Sequence, residues 1–238
     1  MSLNRLAVLA IVLVSGCVEI TAPPVGAPAQ PAPAVAEAPF DARTAACNFV
    51  SVVTRMEPMI EEECRAAGTG VPCDFRIVVD DRPGQAPNAY QTLDSAGRPI
   101  IAFTIPLIAE VRNTDELAFI LGHEAAHHIA GHIPRQQQTA LTGALILGGI
   151  AAASGADAQG IRTAQNIGGT VGARTYSKDF ELEADRLGAI IALRAGYDPL
   201  RGAAFFQRIP DPGDRFLGTH PPNADRLRVV QQTVAGYY

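Results

Sequence analysis

The sequence predicts an α+β domain, mostly helical with a small sheet, over residues 41–238. Three observations predict it. Apolar residues recur at helical spacing in long stretches on both sides of a short central segment. That segment, residues 74–105, holds β-branched runs separated by Gly and Pro turn signals. A composition of 47% hydrophobic and 18% charged residues in 238 is globular. Lys+Arg 19 against Asp+Glu 24 gives a net charge of −5 with no basic cluster, so nucleic acid is excluded as a partner.

Arg5 precedes an uncharged apolar run at residues 6–14 and then Ser15-Gly16-Cys17, the pattern of a signal peptide over residues 1–16. Val14-Ser15-Gly16-Cys17 resembles the lipobox of bacterial lipoproteins, which implies cleavage before Cys17 and lipidation of its thiol. Residues 17–40 follow as a tether, because 13 of the 19 residues from 21 to 39 are Pro or Ala and cannot build a core. By the usual sorting rule of such lipoproteins, Val18 rather than Asp favours the outer over the inner membrane, with the domain facing the periplasm. An oxidising compartment can pair two of the remaining cysteines. The short turn-rich link between Cys64 and Cys73 suits a disulfide there, leaving Cys47 as a buried helix residue.

Residues 41–67 read as an amphipathic helix with Cys47, Val50, Val53 and Met56 inward, Glu61 to Glu63 outward, and an interruption or kink near Pro58. Residues 74–80 and 100–105 are strands, with an edge segment at residues 88–91 between two turns. Asn113-Thr114-Asp115-Glu116 opens a helix expected to reach Gly131-His132 and stop at Pro134. Residues 136–156 are uncharged, yet too rich in Ala, Gly, Thr and Gln for a membrane span. They predict a hairpin with residues 161–173, packed through its glycines. Helices follow over residues 179–195, 199–208 and 223–234.

His123-Glu124-Ala125-Ala126-His127 reads H-E-x-x-H within one of these helices. Residues four apart share a helical face, so both imidazoles reach one tetrahedral Zn²⁺, while Glu124 sits beside the metal's open position. The motif arises by chance in about one chain of this length in a hundred; its apolar frame, where unpaired His and Glu are costly, argues against chance. A third ligand must come from elsewhere, because His128 and His132 lie off the ligand face. Glu181 supplies it, with Asp185 one turn on to orient a ligand imidazole. Glu183, about 200° round the wheel from Glu181, reads as a solvated carboxylate.

These motifs resemble those of the M48 zinc metallopeptidases, the family of HtpX and the CAAX prenyl proteases. The resemblance rests on His123, Glu124 and His127, a further His at His132, Glu181 and Asp185 after Tyr176-Ser177-Lys178, and His220-Pro221-Pro222 followed by Arg226-Leu227. Asn88-Ala89-Tyr90 is similar to the family's substrate-cleft strand. The resemblance implies a zincin-like (gluzincin) fold with the sheet edging the active-site cleft, one zinc per chain, and His220 near the oxyanion. It also implies an endopeptidase acting on unfolded or misfolded envelope proteins in quality control, held at a membrane by its lipid anchor. The alternative of a different class is a lipid-anchored, chaperone-like binding module whose zinc site stays closed and does not turn over.

Overall fold

The computed structural model describes residues 38–175, 177–213 and 220–237. The signal peptide, Cys17, most of the tether and Tyr176 lie outside them. Helix α1, Ala42–Ala67, is capped by Asp41, whose side chain accepts from the N–H groups of Arg43 and Thr44. It continues through Pro58. Pro58 and Thr54 are exposed, so the carbonyl that loses its helical donor faces water and the helix need not break.

The buried stripe of α1 is Ala45, Phe49, Val52, Met56, Ile60 and Cys64. This corrects the expected phase: Val50 is 63% exposed, and Cys47 is exposed rather than buried. Two stripes compete in this helix, and the one with the larger side chains removes more apolar area from water. Cys64 is bonded to Cys73, their Cα atoms 5.6 Å apart, tying the end of α1 to the sheet.

Strands β1 (Arg76–Asp80), β2 (Ala89–Leu93) and β3 (Pro99–Thr104) form a sheet of order β1-β3-β2. β1 runs parallel to β3 and β2 antiparallel, with Tyr90 opposite Ala102. The β2–β3 turn is held by Asp94, whose carboxylate accepts from the N–H groups of Ala96 and Arg98. β2 is therefore an edge strand.

After the short α2 (Ile105–Glu110), helix α3 (Thr114–Ile129) runs through the middle of the fold. Asn113 caps it, and Leu117, Ala118, Phe119, Leu121, Ala125 and Ile129 are buried on several faces, so α3 is the helix around which the others pack. At its start Arg208 donates from Nη1 and Nη2 to the two Glu116 carboxylate oxygens, at 2.6 and 2.7 Å. Gly131 sits at φ +66°, a conformation that turns the chain sharply at little cost only for Gly. α3 thus ends earlier than expected, and Pro134 falls in the first turn of α4 (His132–Ala153), where its missing N–H has no intrahelical partner to lose.

α4 and α5 (Ala158–Thr175) form a hairpin whose backbones nearly touch at Gly143, Gly168 and Gly172. Leu141, Leu145, Ile146 and Ile150 are exposed on it. No helix among the described residues is long and apolar enough to cross a membrane. Helices α6 (Ser177–Arg194), α7 (Pro199–Ala203) and α8 (Asn223–Tyr237) complete the domain.

Candidate active site

The site is assembled where α6 crosses α3. A Cβ on Gly188 would come within 2.7 Å of the His123 backbone nitrogen, and one on Gly122 within 2.8 Å of the Gly188 carbonyl oxygen. Only glycines allow this approach, and it brings the acidic face of α6 onto the histidine face of α3. The Nε2 atoms of His123 and His127 lie 3.1 Å apart. Glu181 lies 3.5 Å from each, Oε2 to His123 and Oε1 to His127.

These three side chains offer ligand atoms all within 4.8 Å of one another. A tetrahedral zinc with bonds of about 2.0–2.2 Å spaces its ligand atoms about 3.3–3.6 Å apart. The donor set of two imidazoles and one carboxylate fits in both identity and spacing.

Behind these three side chains lies a layer of supporting groups. Nδ1 of His123 is 2.9 Å from Asp185 Oδ1. Arg226, on α8, donates from Nε and Nη2 to the two Asp185 oxygens at 2.8 and 2.7 Å and lies 3.8 Å over the Phe206 ring. Its Nη2 is 3.6 Å from Glu181. Nothing in the spacing of α8 assigns Arg226 this task, because helical spacing within one element carries no signal for a partner delivered from another.

His132 also comes to the site. It reaches His127 through Nδ1 at 2.9 Å and Glu183 through Nε2 at 3.2 Å. Glu183 is exposed over 42% of its side chain, as a solvated carboxylate is, but it is also paired, accepting from Arg135 at 2.9 Å. His128 faces elsewhere, with Nε2 on the Pro72 carbonyl oxygen at 2.7 Å.

Burial dominates the electrostatics. It pushes Glu124 up, partly opposed by the charge of His123, with the backbone amide of Gln91 on β2 lowering it slightly. It pushes His127 down to about 3, with the neighbouring His123 adding to the effect. At His123 burial is outweighed by hydrogen bonds to Asp185 and Glu181, which raise it to about 10. Burial raises Glu181 too, but His123 and His220 hold it well below its ordinary range.

The cluster opens into a cleft of about 680 Å³. Asn88, Ala89, Tyr90 and Gln91 form one wall, and Phe119, Ile120, Phe205 and Phe206 give it apolar surface. His220 stands at the rim, its side chain 53% exposed and its Nδ1 3.2 Å from Glu181 Oε2. Asn88, Ala89, Tyr90, His123, Glu124, His127, Glu181 and His220 thus line one cleft, while Asp185 is buried beside His123.

An H-E-x-x-H helix crossed by a helix bearing a carboxylate and a buried aspartate has the organisation of a metallopeptidase centre. The chain belongs to peptidase family M48, whose sequence model matches residues 52–234. It is 31% identical over 128 residues to the beta-barrel assembly-enhancing protease of Yersinia pestis, covering 48% of this chain and 26% of that protein. The Escherichia coli K12 protein of that name is 30% identical over 128 residues, 48% of this chain and 26% of its own. A Vibrio cholerae relative is 30% identical over 154 residues, 58% of this chain and 31% of its own. The chain spans less than a third of the length of each.

Proposed function

We propose that this protein is a zinc endopeptidase of the bacterial cell envelope that hydrolyses unfolded or misfolded envelope proteins. The observation that carries the reading is the convergence of His123, His127 and Glu181 on one point with Glu124 beside it in an open cleft. Zinc held there acidifies water and polarises a carbonyl oxygen.

The remaining work falls to the chain. The exposed edge of β2 binds an extended substrate through its main chain, a mode that admits varied side chains. The Glu124 carboxylate takes a proton from the attacking water and delivers it to the leaving amine. Glu124 and Gln91 line the same cleft, so the base faces the strand that would hold the substrate. His220 presents an imidazole at the rim and donates to the oxygen that gains charge in the transition state. Asp185 and Arg226 fix the orientation of His123.

The envelope location rests on the lipobox-like Cys17, with support from the beta-barrel assembly that the relatives' names print. Cys17→Ala is expected to leave an uncleaved or soluble protein; a membrane-bound chain of mature size in that variant speaks against a lipid anchor. The metal assignment is tested by zinc content after dialysis. Wild type is expected to keep one ion per chain and Glu181→Ala to lose it; a full complement in Glu181→Ala removes Glu181 from the ligand set.

A further inference from the structure

We propose that His132 is a positioning residue for the metal site, accepting the Nδ1–H of His127 and holding that imidazole with Nε2 turned to the ion. The inference rests on the zinc reading above. If Nε2 of His127 ligates, its proton sits on Nδ1, and the atom that Nδ1 meets is Nδ1 of His132, 2.9 Å away. His132 must then accept at Nδ1 and carry its own proton on Nε2, where Glu183 Oε2 receives it at 3.2 Å. Glu183 is in turn fixed by Arg135 at 2.9 Å.

Every donor in this chain meets an acceptor, so one tautomer of each ring satisfies all of it. The ring of His132 is also held flat. It stacks on Phe180 at 4.6 Å and 12°, and the Arg135 guanidinium lies 4.4 Å over the same Phe180 ring. His132 is 3% exposed. The turn at Gly131 folds His132 back against His127, and the side chains that hold it come from Phe180 and Glu183, on either side of Glu181. The two ligand imidazoles are therefore oriented by different means, His123 by a carboxylate directly and His127 through a second imidazole.

The test is the zinc dissociation constant of the full chain by competition with a chelator, with ¹H–¹⁵N spectra of the loaded protein reporting the His127 tautomer. His132→Leu is expected to bind zinc about 10–100-fold more weakly than wild type. His132→Asn, whose carbonyl oxygen takes the place of Nδ1, is expected to recover most of that loss and keep the Nδ1-protonated His127. Glu183→Ala, which leaves His127 and its acceptor in place, is expected to weaken zinc by a smaller factor and serves if the Leu variant does not fold. Wild-type affinity in both His132→Leu and Glu183→Ala, or His132→Asn no better than Leu, overturns the proposal. If wild type itself takes up no zinc, the zinc reading fails first and the inference falls with it.

Discussion

Asp185 holds two partners at once: its Oδ1 lies 2.9 Å from Nδ1 of His123 and 2.7 Å from Nη2 of Arg226. Asp185 is fully buried and Arg226 nearly so. Removing the carboxylate leaves an arginine charge inside the protein with much of its compensation gone. Asp185→Ala is expected to cost about 3–5 kcal/mol by urea denaturation. Burial raises the Asp185 pKa, but Arg226 and His123 outweigh it and lower it. A depressed carboxylate contributes stability that is present above its unfolded pKa of about 3.9 and is lost as pH falls below that value. The acid limb of the wild-type stability curve should therefore flatten in Asp185→Ala; an unchanged limb contradicts the assignment.

His123 holds a proton at neutral pH when no ion competes for it, because Asp185 and Glu181 raise it to about 10 against the effect of burial. The corresponding stability of the metal-free protein is full below pH 6.5 and lost as pH rises through about 10. Zinc must displace that proton. Calorimetry at pH 7 in two buffers of different ionisation enthalpy is expected to show about one proton released per ion bound. Buffer-independent heats contradict this.

The contact between Gly122 and Gly188 sets the distance between α3 and α6. In Gly188→Ala the new methyl group meets the backbone of His123, so the helices must separate. A loss of about 1–3 kcal/mol in stability is expected, accompanied by weaker zinc binding because Glu181 moves with α6. A variant as stable as wild type with undiminished zinc affinity shows that the crossing is not the constraint described.

What could be read in advance followed from regularities inside single elements. His123 and His127 share a face because they are four apart, and Glu181 and Asp185 for the same reason, so the two halves of the site were legible. Their supports were not. His132 lies off the ligand face if α3 is extended as one helix, and it reaches His127 because Gly131 breaks that helix and turns the chain. Glu183 was placed in solvent by the α6 wheel alone, and Arg135 arrives from α4. In α1 the pattern admitted two inward stripes, and Phe49, Val52 and Ile60 won over Cys47 and Val50. The hairpin of α4 and α5 was legible from its glycines, whose absent side chains are themselves the packing signal.

His220 reaches Glu181 from the far end of the chain. If it stabilises the oxyanion, His220→Ala lowers kcat by about 10²–10³ with KM and zinc content little changed. A rise in activity in the same variant means that His220 instead closes the site at rest. Wild-type kinetics exclude both roles.

The claim that this site hydrolyses peptide bonds is tested most directly by following the cleavage of unfolded casein by wild type, by wild type with chelator, and by Glu124→Gln. Wild type is expected to cleave, chelator to abolish cleavage with recovery on adding zinc, and Glu124→Gln to bind zinc normally while losing at least about 10²–10⁴ in rate. Equal cleavage by wild type and Glu124→Gln, or no cleavage by a zinc-loaded wild type, contradicts the account.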